Sequence, residues 1–261
     1  MSAVETWAFG GAGAFWAGAL AVAIWGRAWG WREGIPSALA ALGSACALAG
    51  LVARGLAIQY WPFTDRFAFT QAFALATVWT ALALDARDRH RVLSMGLGVA
   101  LVLWADAQWL LPPNLRQAAL PVPALRHIWL PLHAGSAAVA YAGLALGSLA
   151  AVWAARRGDE ALQALAHRAV RWGYWWLSAS IFLGAVWARQ TWARFWGWDP
   201  KETWSLVTWL LYTAWFHAFG LPAWKRRQTV LLALGLAAMG FTFFGVEWLV
   251  RRVGLFSLHL F

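Results

Sequence analysis

The sequence predicts an all-α polytopic membrane protein with about eight transmembrane helices and an external tryptophan-rich loop. Three observations predict it. Of 261 residues, 62% are hydrophobic and 12% are charged, against about 25% charged in soluble domains. The apolar residues fall into eight runs, each near the ~20 residues that a spanning helix requires. The charges gather in short loops between those runs. Residues 1–261 therefore read as a single integral membrane domain.

The first run is Thr6 to Gly26, followed by a loop with Arg27, Arg32 and Glu33. The second, Gly34 to Ile58, carries Arg54 near its far end, and a loop with Pro62, Asp65 and Arg66 follows. The third is Phe67 to Leu84, and the solvated loop Asp85 to Arg91 leads to the fourth, Val92 to Leu111, with Asp106 near its end. Pro112 to His127 is proline-rich and cannot continue a helix. The fifth run, Ile128 to Ala155, places His133 about one turn inside its start. Arg156 to Arg171 is charged, helical in character, and holds His167. The sixth run, Trp172 to Ala188, enters the tryptophan loop at 187–204. The seventh, Thr203 to Phe219, has His217 near its end and Lys225, Arg226 and Arg227 just beyond. The eighth, Gln228 to Val246, precedes a tail with His259 third from the end. Alanine and glycine are abundant in the runs, as close helix packing in lipid favours.

A net charge of +10 suits nucleic acid, anionic lipid or an anionic ligand. Its confinement to loops between apolar runs excludes nucleic acid as the expected partner. The single cysteine, Cys46, allows neither an internal disulfide nor a thiol pair. The first run lacks the basic flank of a cleavable signal and is expected to stay in the membrane. Twelve Lys or Arg residues lie in the odd-numbered loops: Arg27, Arg32, Arg87, Arg89, Arg91, Arg156, Arg157, Arg168, Arg171, Lys225, Arg226 and Arg227. Eight lie on the other side: Arg66, Arg116, Arg126, Arg189, Arg194, Lys201, Arg251 and Arg252. The positive-inside rule then puts the odd loops in the cytoplasm, and both termini and the tryptophan loop outside.

Trp187 to Trp204 contains five tryptophans in eighteen residues. Tryptophans anchor helices at membrane surfaces, but an anchor does not need the context Trp-Gly-Trp-Asp-Pro-Lys-Glu-Thr-Trp. That context resembles a helix start, with Asp199 as N-cap, Pro200 at the first position and Glu202 three residues after the cap. The predicted topology brings His133, this loop and His259 to the outer face. Two neutral imidazoles flanking an aromatic shelf suit axial ligation of haem iron. Arg189 and Arg194 could meet its propionates. His217, fourteen residues beyond Thr203, lies roughly 20 Å deeper at 1.5 Å per residue. It is a candidate ligand of a separate site near Lys225 to Arg227. The alternative for each histidine is a hydrogen bond inside the bundle. His127 is a possible substitute ligand, and His90 and His167 read as solvated. Arg54 and Asp106 lie at similar depth and read equally as a mutual ion pair or an edge of the haem site.

Residues 192–217, beginning Trp192-Ala-Arg-Phe-Trp-Gly-Trp-Asp-Pro-Lys-Glu-Thr-Trp and ending Trp-Phe-His217, resemble the WWD domain and following helix of the CcsA (ResC) family. That family handles haem in System II cytochrome c biogenesis. Gly184 to Ala188 and Trp129-Leu-Pro-Leu-His133 are similar to it too, so the resemblance covers residues 125–261. CcmC of System I has a WWD loop without the Pro-Lys-Glu-Thr-Trp continuation. The resemblance implies haem b as the bound group, His133 and His259 as external ligands, and His217 as the ligand of a transmembrane haem. Trp192, Trp196, Trp198, Asp199, Arg189 and Arg194 would complete the haem-binding surface. It further implies a CcsB/ResB-like membrane partner, apocytochrome c with its Cys-x-x-Cys-His, and a thioredoxin-like thiol reductant. The implied activity is a holocytochrome-c synthase (haem lyase) in a bacterial inner or thylakoid membrane. The alternative is a CcmC-like haem transporter that does no ligation. No acid, base or nucleophile is required of this chain. Two departures stand out: Ala193 replaces the family's usual glycine, and Phe-Ser-Leu separates Gly254-Leu255 from His259.

Overall fold

A computed structural model describes residues 1–26, 34–85 and 91–254. Its regular structure is helical throughout: α1 (Ala3–Trp25), α2 (Ile35–Ile58), α3 (Arg66–Asp85), α4 (Arg91–Ala105), the short α5 (Pro113–Arg116), α6 (Trp129–Arg157), α7 (Glu160–Trp192), α8 (Pro200–Ala218), α9 (Lys225–Gly240) and α10 (Val246–Val253). Two π-helical turns, Asp106–Leu110 and Phe241–Gly245, extend α4 and join α9 to α10. The all-α membrane architecture is as expected. His90 and His259 lie outside the described residues.

Six helical segments among the described residues are long and apolar enough to cross a membrane: Ala3–Trp25, Ile35–Ile58, Arg66–Leu84, Arg91–Leu110, Trp129–Arg157 and Arg227–Val250. The other two long helices, α7 and α8, flank the tryptophan loop. They are rich in Trp and Tyr, and α7 also holds Arg168, Arg171 and Arg189, residues whose polar tips lower the apolarity of a segment. The charged stretch after Arg157 is the first third of α7, which starts at an Asp159 cap accepting from the Leu162 N–H at 3.0 Å.

The chain forms two compact units, residues 1–142 and 143–261, with α6 contributing to both. In the first unit, glycines admit whole aromatic rings between helices. An added Cβ at Gly43 would lie 2.5 Å from Trp16, one at Gly50 2.8 Å from Phe9, and one at Gly13 2.4 Å from Trp104. The Trp104 indole N–H donates to the Phe9 carbonyl at 2.7 Å.

The polar end of this unit is organised by Arg54, which has no exposed surface. It donates to Glu5 (3.3 Å), Asp65 (3.1 Å) and the carbonyls of Arg116 (3.1 Å) and Gln117 (3.2 Å), and lies over the Phe67 ring. Asp106 instead accepts from Arg66 at 3.3 Å. Of the two readings given to Arg54 and Asp106, the mutual ion pair is therefore corrected. Similar depth along two helices does not put them on facing sides.

In the second unit α8 is held on several sides. Ser148 of α6 and Tyr212 bond through their hydroxyls at 2.9 Å. The Trp209 indole N–H donates to Ser178 of α7 at 2.9 Å, and Thr208 meets Thr242 at 3.3 Å. Gln228 donates to the Ala218 carbonyl at the end of α8. Gly143 and Gly147 let α6 approach α7 to backbone distance; their Cβ atoms would lie 3.0 Å from Gly173 and 2.6 Å from Val170.

Candidate functional site

The loop is shorter than the sequence suggested. Trp187 to Trp192 contains no helix breaker, so α7 runs through it and the loop proper is 193–199. Polar residues between tryptophans had read as loop, but they are the last helical turn. Trp187 is buried, with Trp192 edge-on at 6.4 Å. The Trp192 indole N–H is buried without a hydrogen-bond partner, an unsatisfied donor on the loop's floor.

The helix stops at Ala193, whose backbone is left-handed (φ 59°). That is the conformation of a C-terminal cap, usually given to glycine. Arg189 donates to the Ala193 carbonyl at 2.7 Å and lies 5.9 Å from the Phe195 ring centre. The guanidinium of Arg194 packs on Gly197, where a Cβ would come within 2.8 Å of it. Trp196 and Trp198 stand edge to face at 6.0 Å. Phe195 and Trp198 are the open aromatic faces, 59% and 69% exposed.

The loop ends in the predicted capping box. The Asp199 carboxylate is buried and accepts from the Lys201 N–H at 2.9 Å, while Glu202 accepts from the Asp199 N–H at 3.1 Å. The sequence did not reveal a second bond to Glu202, from the Gly197 N–H at 2.7 Å. Nor did it reveal that Trp198 between them is left-handed, at φ 55°.

The histidines differ in what their rings can do. His217 is exposed near the end of α8, and its Nδ1–H donates to the Thr213 carbonyl at 2.9 Å. A carbonyl only accepts, so the proton sits on Nδ1 and the neutral ring offers Nε2 as a ligand. In His127 the Nδ1 accepts from the Trp129 N–H at 3.4 Å. Its proton then sits on Nε2, the wrong tautomer for ligation through that atom. His133 lies on the second turn of α6, half-buried, in the first unit. His167, expected to be solvated, is half-buried near Trp215 (5.4 Å) and edge-on to Phe219 (4.9 Å). Burial, then the charge of Arg171, push its pKa below the usual value. It misled because its neighbours in sequence are charged, whereas its neighbours in space come from α8. Among the described residues no group of three His, Cys, Asp or Glu side chains could hold a bare metal ion.

The structure thus sets a capped tryptophan loop between two long helices of a polytopic helical membrane fold, and known proteins share that sequence and fold. The model of the family described as "Cytochrome C assembly protein" matches residues 36–253. Proteins called "Cytochrome c biogenesis protein CcsA" are 30% identical in Synechococcus sp. (strain CC9902) and 31% in Parasynechococcus marenigrum (strain WH8102). Each match covers 93% of this chain and 92% of the relative. A solved "Cytochrome c Heme Lyase CcmF" shares the fold with a TM-score of 0.73 at 18% identity, over 97% of this chain. This chain spans 50% of that protein's length. The chain belongs to the CcsA family of cytochrome c assembly proteins. It is an integral membrane protein with a role in cytochrome c biogenesis.

Proposed function

We propose that this chain is the haem-handling subunit of a cytochrome c synthase. It delivers haem b to the outer face and presents it for attachment to the Cys-x-x-Cys-His of apocytochrome c. The observation that carries this reading is the loop, where Phe195 and Trp198 stand open, Ala193 and Trp198 have left-handed backbone, and a capped helix follows. Such flat apolar faces suit a porphyrin plane, and the names of the curated relatives support the pathway.

In this reading Trp192, Trp196 and Trp198 form the shelf, Arg189 and Arg194 face the propionates, and Asp199 shapes the loop as its cap. His133 and His259 are the external iron ligands. His217 offers its Nε2 outward at a separate site, whose second ligand comes from a CcsB-like partner. Its exposure supports that assignment, because a ligand shared with another chain must reach the chain's surface. Eight spans with the odd loops inside place the tryptophan loop outside. Single cysteines at Arg194 and Arg227 in a Cys46→Ser background should label from opposite sides.

Thioether formation adds a cysteine S–H across a haem vinyl C=C and consumes no electrons. The protein's part is therefore positioning: holding the ring, fixing the iron and turning the vinyl edge toward the thiols. The test is co-expression with a CcsB-like partner and an apocytochrome c, scored for covalent haem after denaturation. Covalent haem should require this chain. Haem that reaches the outer face of the reconstituted set but never becomes covalent would reassign the chain as a carrier.

A further inference from the structure

We propose that Glu202 is a positioning residue of the tryptophan loop, acting beyond its role in capping α8 by locking Trp198 open. This rests on the haem-handling reading above. One carboxylate oxygen, Oε2, accepts from both the Gly197 N–H (2.7 Å) and the Asp199 N–H (3.1 Å). A capping box needs only the second of these. The two N–H groups reach one oxygen across Trp198, whose backbone is left-handed (φ 55°). That conformation is unfavourable for a bulky residue and needs a surrounding structure that enforces it. Successive N–H groups converging around a left-handed residue make a small anion nest, and here the anion is the protein's own carboxylate.

The turn carries the Trp198 side chain outward, leaving it exposed and edge-on to Trp196. Thr203 secures the other side, its hydroxyl lying 3.4 Å from the Trp198 carbonyl. Glu202 acts through the backbone on either side of Trp198, and so sets where the ring stands. A glycine at 197 completes the arrangement by admitting the Arg194 guanidinium against the backbone.

The test uses the full chain purified with its partner, comparing wild type, Glu202→Ala and Glu202→Gln. Amide hydrogen exchange of the 195–201 segment reads the lock directly. Losing a bond to a charged acceptor should speed exchange at Gly197 and Asp199 by about tenfold or more, while Leu206 to Tyr212 in the middle of α8 keep their protection. The external haem, read from the Soret band, should fall several-fold in Glu202→Ala and recover in part in Glu202→Gln, which keeps one acceptor oxygen. The His217-dependent haem should remain. Unchanged exchange at Gly197, or unchanged external haem despite faster exchange, would overturn the proposal. A wild-type complex that carries no haem would instead sink the haem reading, leaving the exchange result to decide the lock.

Discussion

Glu5, which closes the capping box at the start of α1, also pairs with Arg54 of α2 at 3.3 Å, and neither side chain is accessible. Forty-nine residues separate them in sequence. One carboxylate therefore ties a helix start to a buried cation that also holds Asp65 and two carbonyls of the 112–127 connection. Removing Arg54 would leave two carboxylates without their cation. Arg54→Ala should destabilise the protein by about 3–5 kcal/mol, seen as a lowered thermal midpoint in detergent. The double variant Arg54→Met with Glu5→Gln should recover much of that loss, because it removes buried charge on both sides. Full stability in Arg54→Ala would mean that the network contributes little.

If His217 ligates a haem as proposed, His217→Gly should lose that haem, and added imidazole should restore part of it. The Thr213 carbonyl that fixes the ring is backbone and survives the substitution, so a free imidazole meets the same acceptor. Spectra of the purified complex with and without imidazole decide it. Two intact haem populations in both the Ala and Gly variants would reduce His217 to a packing residue.

Ala193→Gly should stabilise the end of α7. Alanine at φ 59° carries a left-handed penalty of about 1 kcal/mol, which glycine at the same cap position avoids. The Arg189 bond goes to the residue 193 carbonyl and is unaffected by the change. A rise in the thermal midpoint with haem loading unchanged is the expected result; a fall would show that the alanine methyl packs usefully.

His167 lies in the charged first part of α7, before the apolar run at Trp172. Its folded pKa is lowered by burial and then by Arg171. Above the unfolded value near 6.5, both states are neutral and the residue adds no pH dependence. As pH falls below that value the unfolded chain takes up a proton first, so stability declines until the folded pKa is passed. The drop in thermal midpoint between pH 7.5 and 5.0 should shrink in His167→Phe, which keeps a ring against Trp215 and Phe219. An identical drop in the variant would place the pH sensitivity elsewhere.

Local chemistry made much of this protein legible from residues alone. Helices are announced by runs of apolar residues, and Asp199, Pro200 and Glu202 announce the start of α8 because a cap is made within four residues of itself. The loop's place between two long helices followed from the same short-range signals. What spacing could not show was direction. Arg54 chose Glu5 and Asp65 over Asp106, since pairing depends on which sides of packed helices face each other. His217 gained a ligand-ready tautomer and His127 the opposite one from the bond each Nδ1 makes in the folded backbone. His167 was drawn into an aromatic contact by α8, and Trp198 was turned outward by a carboxylate four residues ahead. Sequence alone determined the helical membrane class, the cap that starts α8 and the family; the tertiary structure decided where the loop begins and which groups are partners, because hydrogen bonds and ion pairs form only between groups that packing brings within about 3 Å.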